Sequence, residues 1–225
     1  GIEHVPIHRT PEGALFQYGY FQFGVPSFTT PGWGVPASSS SGSSEGASGD
    51  AAILSALDSM GVEAFADWTP FDHPELGRVE IGGFLPYVTH NPPEEALTDL
   101  GEKHGEFLVK LAGMLPRVRI AEADVEAHGG GVFTVTVKAE NQGFFPTSTR
   151  HGVRSRSVGP TYLQIQVDPE AILTGADKTA SLGVLDGSGA REEVTWVIQG
   201  GDGDTVEIKL LSQKAGQDSR TVTLR

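Results

Sequence analysis

Between Arg117 and Arg225, apolar and polar residues alternate with period two in seven stretches: RVRIAEADVEA, GGVFTVTVKAEN, PTYLQIQVD, TASLGVL, EEVTWVIQG, DTVEIKLLS and SRTVTLR. Such alternation places every second side chain on one face of a strand, and Gly, Asn and Asp turns separate the stretches. Seven short strands over residues 116–225 predict an all-β, immunoglobulin-like sandwich, with Tyr162 and Trp196 among its core aromatics.

Residues 1–115 follow a different rule. Leu15, Phe16, Tyr18 and Tyr20 predict a short helix, and Val25 to Thr30 a short buried strand that starts at or near Pro26, because proline cannot donate inside a sheet. Residues 34–50 are rich in Ser and Gly, have almost nothing to bury, and are expected to form a flexible loop. Asp50 is placed to cap a helix that Gly61 ends. Turns and short strands are expected over residues 62–87. Asn91 as N-cap, Pro92 in the first helical position and Glu94 three residues on predict the clearest helix of the chain. Ala96, Leu97, Leu100, His104, Phe107, Leu108, Leu111 and Leu115 share one face of it, and Pro116 stops it. His104, on that apolar stripe, reads as a core-edge histidine. The predicted organisation is therefore a mixed α/β segment over 1–115 and a β-sandwich over 116–225.

The charge is divided in the same place. The chain carries a net −13; residues 1–115 hold 4 Lys/Arg against 15 Asp/Glu, and residues 116–225 hold 12 against 14. A balance so acidic argues against nucleic acid, whose phosphates call for basic patches. The absence of cysteine removes disulfides, thiolate metal sites and cysteine nucleophiles together. No apolar run approaches the roughly 20 residues of a membrane-crossing helix. A chain that opens at Gly1, with neither start methionine nor signal peptide, reads as a processed product or a fragment.

Candidate chemistry is sparse. The seven histidines, His4, His8, His73, His90, His104, His128 and His151, open no HxxE, and no HExxH or GxSxG occurs. GDGD at 201–204 lacks the later ligands of a calcium loop and reads as a turn. Arg150, His151, Arg154 and Arg156 make the one basic cluster. It suits the docking of a carboxylate or an acidic neighbour, since an arginine fork matches a carboxylate; the alternative is a solvated sandwich loop. In FDHPELGRVEIGG, 71–83, Glu80 faces away from Val79 and Ile81. It is a candidate catalytic carboxylate turned into a cleft, or else a strand carboxylate paired with a backbone amide or an arginine.

With these residues in view, the chain resembles the C-terminal end of zinc carboxypeptidases of the M14 (carboxypeptidase A-like) family. EGALFQYGYFQFGVPSFTT looks like the family's penultimate helix and following strand. TPGW at 30–33, HPxxxxVEIGG at 73–83 and NPP at 91–93 follow in the order found in a bacterial subgroup, some of whose members carry an appended β-sandwich. The resemblance implies a partial α/β/α carboxypeptidase sheet over residues 1–115. For the secreted or periplasmic parent it implies release of C-terminal residues from a peptide substrate through a zinc-bound water. It also implies that the zinc ligands lie upstream of Gly1, so that this chain holds no cofactor of its own. The family's general-base glutamate falls at Pro31, which has no proton to transfer, and its substrate-binding tyrosine falls at His8. Glu80 is then the remaining candidate for a base, with His8, Arg154 and Arg156 for substrate binding. The chain alone is expected to be inactive. A reading of another class is a non-catalytic structural or interaction protein, a fragment that self-assembles into a homo-oligomer or filament through unpaired sheet edges and apolar faces.

Overall fold

The alternating stretches after Arg117 form two antiparallel sheets of four strands. The computed structural model describes residues 13–30, 32–34 and 47–225, which are mostly β-strands in sheets, with a few helices. They divide into two units, Thr30–Leu108, and residues 13–29 with Val109–Arg225.

In the second unit, one sheet has the order β3 (Val118–Gly129), β4 (Val132–Asn141), β8 (Ala190–Gln199), β6 (Ile172–Gly175). The other runs β10 (Gly216–Thr223), β9 (Thr205–Ser212), β5 (Thr161–Ile165), β7 (Thr179–Gly183). Period two makes one face of the central strands apolar. Phe133, Val135 and Val137 of β4, Trp196 and Ile198 of β8, Leu163 and Ile165 of β5, and Ile208 and Leu210 of β9 meet in one buried core. Trp196 is fully buried and donates its indole N–H to the Asp177 carbonyl, 2.9 Å away, so its single polar atom is satisfied. Tyr162 faces the other way and is only half-buried. Of the eight strands here, β6 was not foreseen: four residues long, mostly exposed and ending at Gly175, it carries no alternation to read.

Asn141, completely buried at the end of β4, ties three loops to this core. Its Oδ1 accepts from the amides of Arg117 (3.0 Å) and Gly143 (3.1 Å), and its Nδ2 donates to the carbonyls of Phe145 (2.9 Å) and Asp186 (3.1 Å). Thr147 adds a second tie, with its amide on the Leu185 carbonyl and its hydroxyl accepting from the Leu185 amide.

A short helix, α1 (Leu15–Phe23), also belongs to this unit. Gly24 closes it in the left-handed region (φ 64°) and donates back to Tyr20. Beyond it, Val25 to Thr30 pairs with no strand among the described residues, contrary to the expected buried strand. Phe28 instead sets its ring against Phe145, 5.6 Å between centroids.

The Thr30–Leu108 unit holds α2 (Ala47–Ser59), the hairpin of β1 (Phe65–His73) and β2 (Gly77–Phe84), and most of α3 (Leu97–Gly113). Helix α2 starts before Asp50, which therefore lies in its first turn rather than at its cap. Gly61 (φ 72°) ends it as expected, with the Val62 amide reaching back to the Leu57 carbonyl. Helix α3 also begins later than Asn91 predicts. Pro92 and Pro93 lead into a 3-10 turn, Glu94–Ala96, with no side-chain cap, and the α-helix starts at Leu97. The larger departure is burial. Leu97, Phe107 and Leu108 of the predicted apolar stripe are exposed, and Leu100 and His104 are half-buried. Among the described residues of this unit, Leu57 and Ala64 are the only buried apolar ones. The strands of residues 1–115 amount, among those described, to the one hairpin.

Replacing Asn141 with Ala leaves the amides of Arg117 and Gly143 and the carbonyls of Phe145 and Asp186 without their side-chain partner. The Asn141→Ala protein is expected to lose at least about 2 kcal/mol, read as a lower urea midpoint with an unchanged slope.

Candidate functional site

The residues nominated from sequence do not converge. Pro31 and His8 lie outside the described residues, as does most of the 34–50 loop. Glu80 is exposed on β2 opposite Pro70, with no ion pair among the described residues. Its neighbours explain the motif around it. At the bulge between Ala66 and Thr69, a side chain at Gly82 would run into the Trp68 backbone, and Gly83 (φ 107°) lies under the Trp68 indole. The paired glycines of VEIGG are thus a requirement of this hairpin's backbone.

His104 closes a ring with the TPGW segment. Its Nε2 lies 2.8 Å from the Gly32 carbonyl, which only accepts, so Nε2 carries the proton. Its Nδ1 lies 3.3 Å from the Thr30 hydroxyl, which donates to it while accepting from the Gly32 amide at 3.4 Å. Both ring nitrogens are committed to holding the residues on either side of position 31. The sequence placed His104 on an apolar stripe, and nothing local could reveal a partner 72 residues away.

The basic cluster is built more firmly than a solvated loop. Thr149 caps a six-residue helix, α4 (Arg150–Ser155), accepting from the Gly152 amide at 2.9 Å. The Thr149 hydroxyl donates to the Gly24 carbonyl at 2.7 Å. Gly24 and Gly152 approach so closely that a side chain on either would strike the other's backbone. His151 turns away from the arginines, donating from Nε2 to the Phe21 carbonyl (3.1 Å) and stacking on Tyr20 at 5.2 Å. Arg150 and Arg154, one turn apart, point outward beside a groove of about 490 Å³. Arg156 sits at the C-cap with φ 58°. None of the three arginines makes an ion pair among the described residues.

Elsewhere in this unit several cations are used in the sheet. Arg119, Glu140 and Arg191 form one cross-strand row, with 2.9 Å and 3.5 Å contacts. Glu122, Lys138 and Glu193 form the next, with 2.6 Å and 3.9 Å contacts. The Lys138 ammonium, by hydrogen bond and by charge, holds the Glu122 carboxyl below its ordinary value of 4.5, and Glu122 in turn raises Lys138 above 10.5. These rows are structural ladders, with no carboxylate left free to act as a base.

Among the described residues, no three His, Asp or Glu side chains are grouped so as to hold a metal ion. No helix among them is long and apolar enough to cross a membrane.

A titration checks the ladder. A carboxyl depressed in the folded state contributes stability above its unfolded value and loses it as pH falls through the folded one. Glu122 is therefore expected to titrate below 4.5 and to return toward 4.5 in Lys138→Gln, followed by NMR. Lys138 contributes in the opposite window, below 10.5, and that contribution is lost as pH rises through its raised folded value. For the ring, His104→Ala is expected to speed amide exchange at Gly32 while costing about 1 kcal/mol or less overall.

The profile of a protein family described as a domain of unknown function (DUF8731) matches residues 117–223, just under half of the chain. That span takes in both four-stranded sheets, α4 and the arginine cluster. No curated protein matches the chain.

Proposed function

We propose that this chain is the C-terminal portion of a secreted M14-like zinc metallocarboxypeptidase and serves it as non-catalytic scaffold with an accessory β-sandwich. The observation that carries the reading is the open apolar face of the Thr30–Leu108 unit. Trp68, Phe71, Ile81, Leu97, Phe107 and Leu108 are exposed there, while Leu57 and Ala64 are the only buried apolar residues among those described in the unit. Burial this sparse among the described residues does little to offset the entropy of ordering the chain. The upstream part of the same catalytic domain would supply the missing cover. Three markers of the resemblance also fall within this one unit: TPGW, clasped by His104; VEIGG, in the hairpin; and NPP, at the entry to α3. The His104 clasp supports a structural role for the residues on either side of position 31, where the family's base would stand.

The sandwich is read as immunoglobulin-like. The orders β3-β4-β8-β6 and β10-β9-β5 correspond to strands A-B-E-D and G-F-C of that fold, with β7 added beside the C position.

Zinc content and release of C-terminal residues, measured on this chain and on the protein from its natural source, test the proposal. This chain is expected to bind no stoichiometric zinc and release nothing. The natural protein should be heavier than 23.8 kDa, carry zinc and act on peptides. Zinc-dependent release by these 225 residues alone would refute it.

A second reading, a fragment that self-assembles, draws on the same open faces and on the exposed aromatics Tyr18, Phe21, Phe23 and Phe28. It expects concentration-dependent oligomers in light scattering, and a natural mass equal to that of this chain.

A further inference from the structure

We propose that the groove beside α4 docks an extended acidic peptide segment, with the guanidinium groups of Arg150 and Arg154 as its two carboxylate-binding forks. The inference stands on the sandwich unit alone and does not depend on the peptidase reading.

Helix α4 breaks two local rules at once. Arg150 occupies its first position, where the helix dipole favours an anion, and the first turn contains no acidic residue. Arg150 and Arg154 are also like charges at i and i+4, which repel on a helix surface. The protein pairs Arg119, Lys138 and Arg191 with carboxylates in its sheet, and among the described residues gives Arg117, Lys178 and Arg220 no such partner. It leaves Arg150 and Arg154 without an ion pair among the described residues. Local conflicts of this kind gather at working sites.

The rest of the groove fits a peptide better than a small anion. Pro146, Val153 and Val184 line it together with the arginines, and Val153 is half exposed. Asp186 stands on the same lining, with its carbonyl held by Asn141, and supplies the one negative group there. The floor is rigid. Asn141 fixes Phe145 and Asp186, and Thr149 and His151 pin α4 to α1. Preorganised forks lose little entropy on binding.

Spacing selects the occupant. Four residues of helix advance about 6 Å. Two residues of extended chain advance about 6.6 Å. Carboxylates two apart on an extended peptide share one face of it and therefore meet the two forks together.

The probe is a fluorescein-labelled peptide of alternating Glu and Val, titrated with the full chain by fluorescence anisotropy, beside an otherwise identical Gln-Val peptide. The Glu-Val peptide is expected to bind, to weaken as salt rises, and to outcompete the Gln-Val peptide. Arg150→Ala and Arg154→Ala should each weaken it about tenfold, the loss expected when a charge-assisted hydrogen bond is removed. Arg220→Ala should leave binding unchanged. The double variant Arg150→Glu with Arg154→Glu should prefer a Lys-Val peptide, a gain that a misfolded protein cannot show. No binding of the Glu-Val peptide, equal binding of the Gln-Val peptide, or binding indifferent to both arginines would overturn the proposal. So would a dimer, seen by sedimentation, that dissolves in Arg154→Ala, since the groove would then belong to a second copy of this chain.

Discussion

The burial of two alternating sheet faces against each other is the constraint on which the rest of this structure depends. Val135, Val137, Leu163, Ile165, Trp196, Ile198, Ile208 and Leu210 are all but removed from water in one cluster. At about 1.5–3 kcal/mol for each large apolar side chain buried, such a cluster is the main favourable contribution to folding. Everything of functional interest in this unit hangs from it. Asn141 closes the end of β4 and sets the loops on which α4 is mounted, and α4 in turn receives α1 through the Gly24–Gly152 approach. Rigid sheets carry a rigid loop platform, the common arrangement for binding surfaces.

Residues 30–108 invert that pattern. Their helices and hairpin have the turn and bulge chemistry of ordinary elements, yet among the described residues the apolar faces those elements present stay largely open. A two-stranded hairpin by itself is marginal in water. Among the described residues, the two parts thus differ in how much of their apolar surface is covered.

How much was legible in the sequence follows from how local each signal is. The β4 stretch VFTVTVKAEN alternates cleanly and is a strand with every second residue buried; ILTG of β6 is too short and too exposed to carry a pattern. The periodicity of α3 predicted a helix correctly, but periodicity says nothing about whether a partner is there to cover the stripe. Val25 to Thr30 had the composition of a strand and no strand to pair with. The arginine cluster was visible as a run of charge. That Thr149 caps it, that His151 faces α1, and that Asn141 sets its floor all depend on contacts between residues distant in sequence. The ring of His104 with Thr30 and Gly32 belongs to the same class. Its one local hint, a histidine on an otherwise apolar helical face, is shared with many core-edge histidines.

Hydrogen exchange followed by mass spectrometry along the whole chain tests most directly the division between a self-sufficient sandwich and a segment that lacks cover. Amides of β4, β5, β8 and β9 should exchange only through global opening, while those of the β1–β2 hairpin and the first turns of α3 exchange orders of magnitude sooner. Equal, slow exchange in the hairpin and the sandwich would contradict that division, because it would mean that residues 30–108 are stable without any further cover.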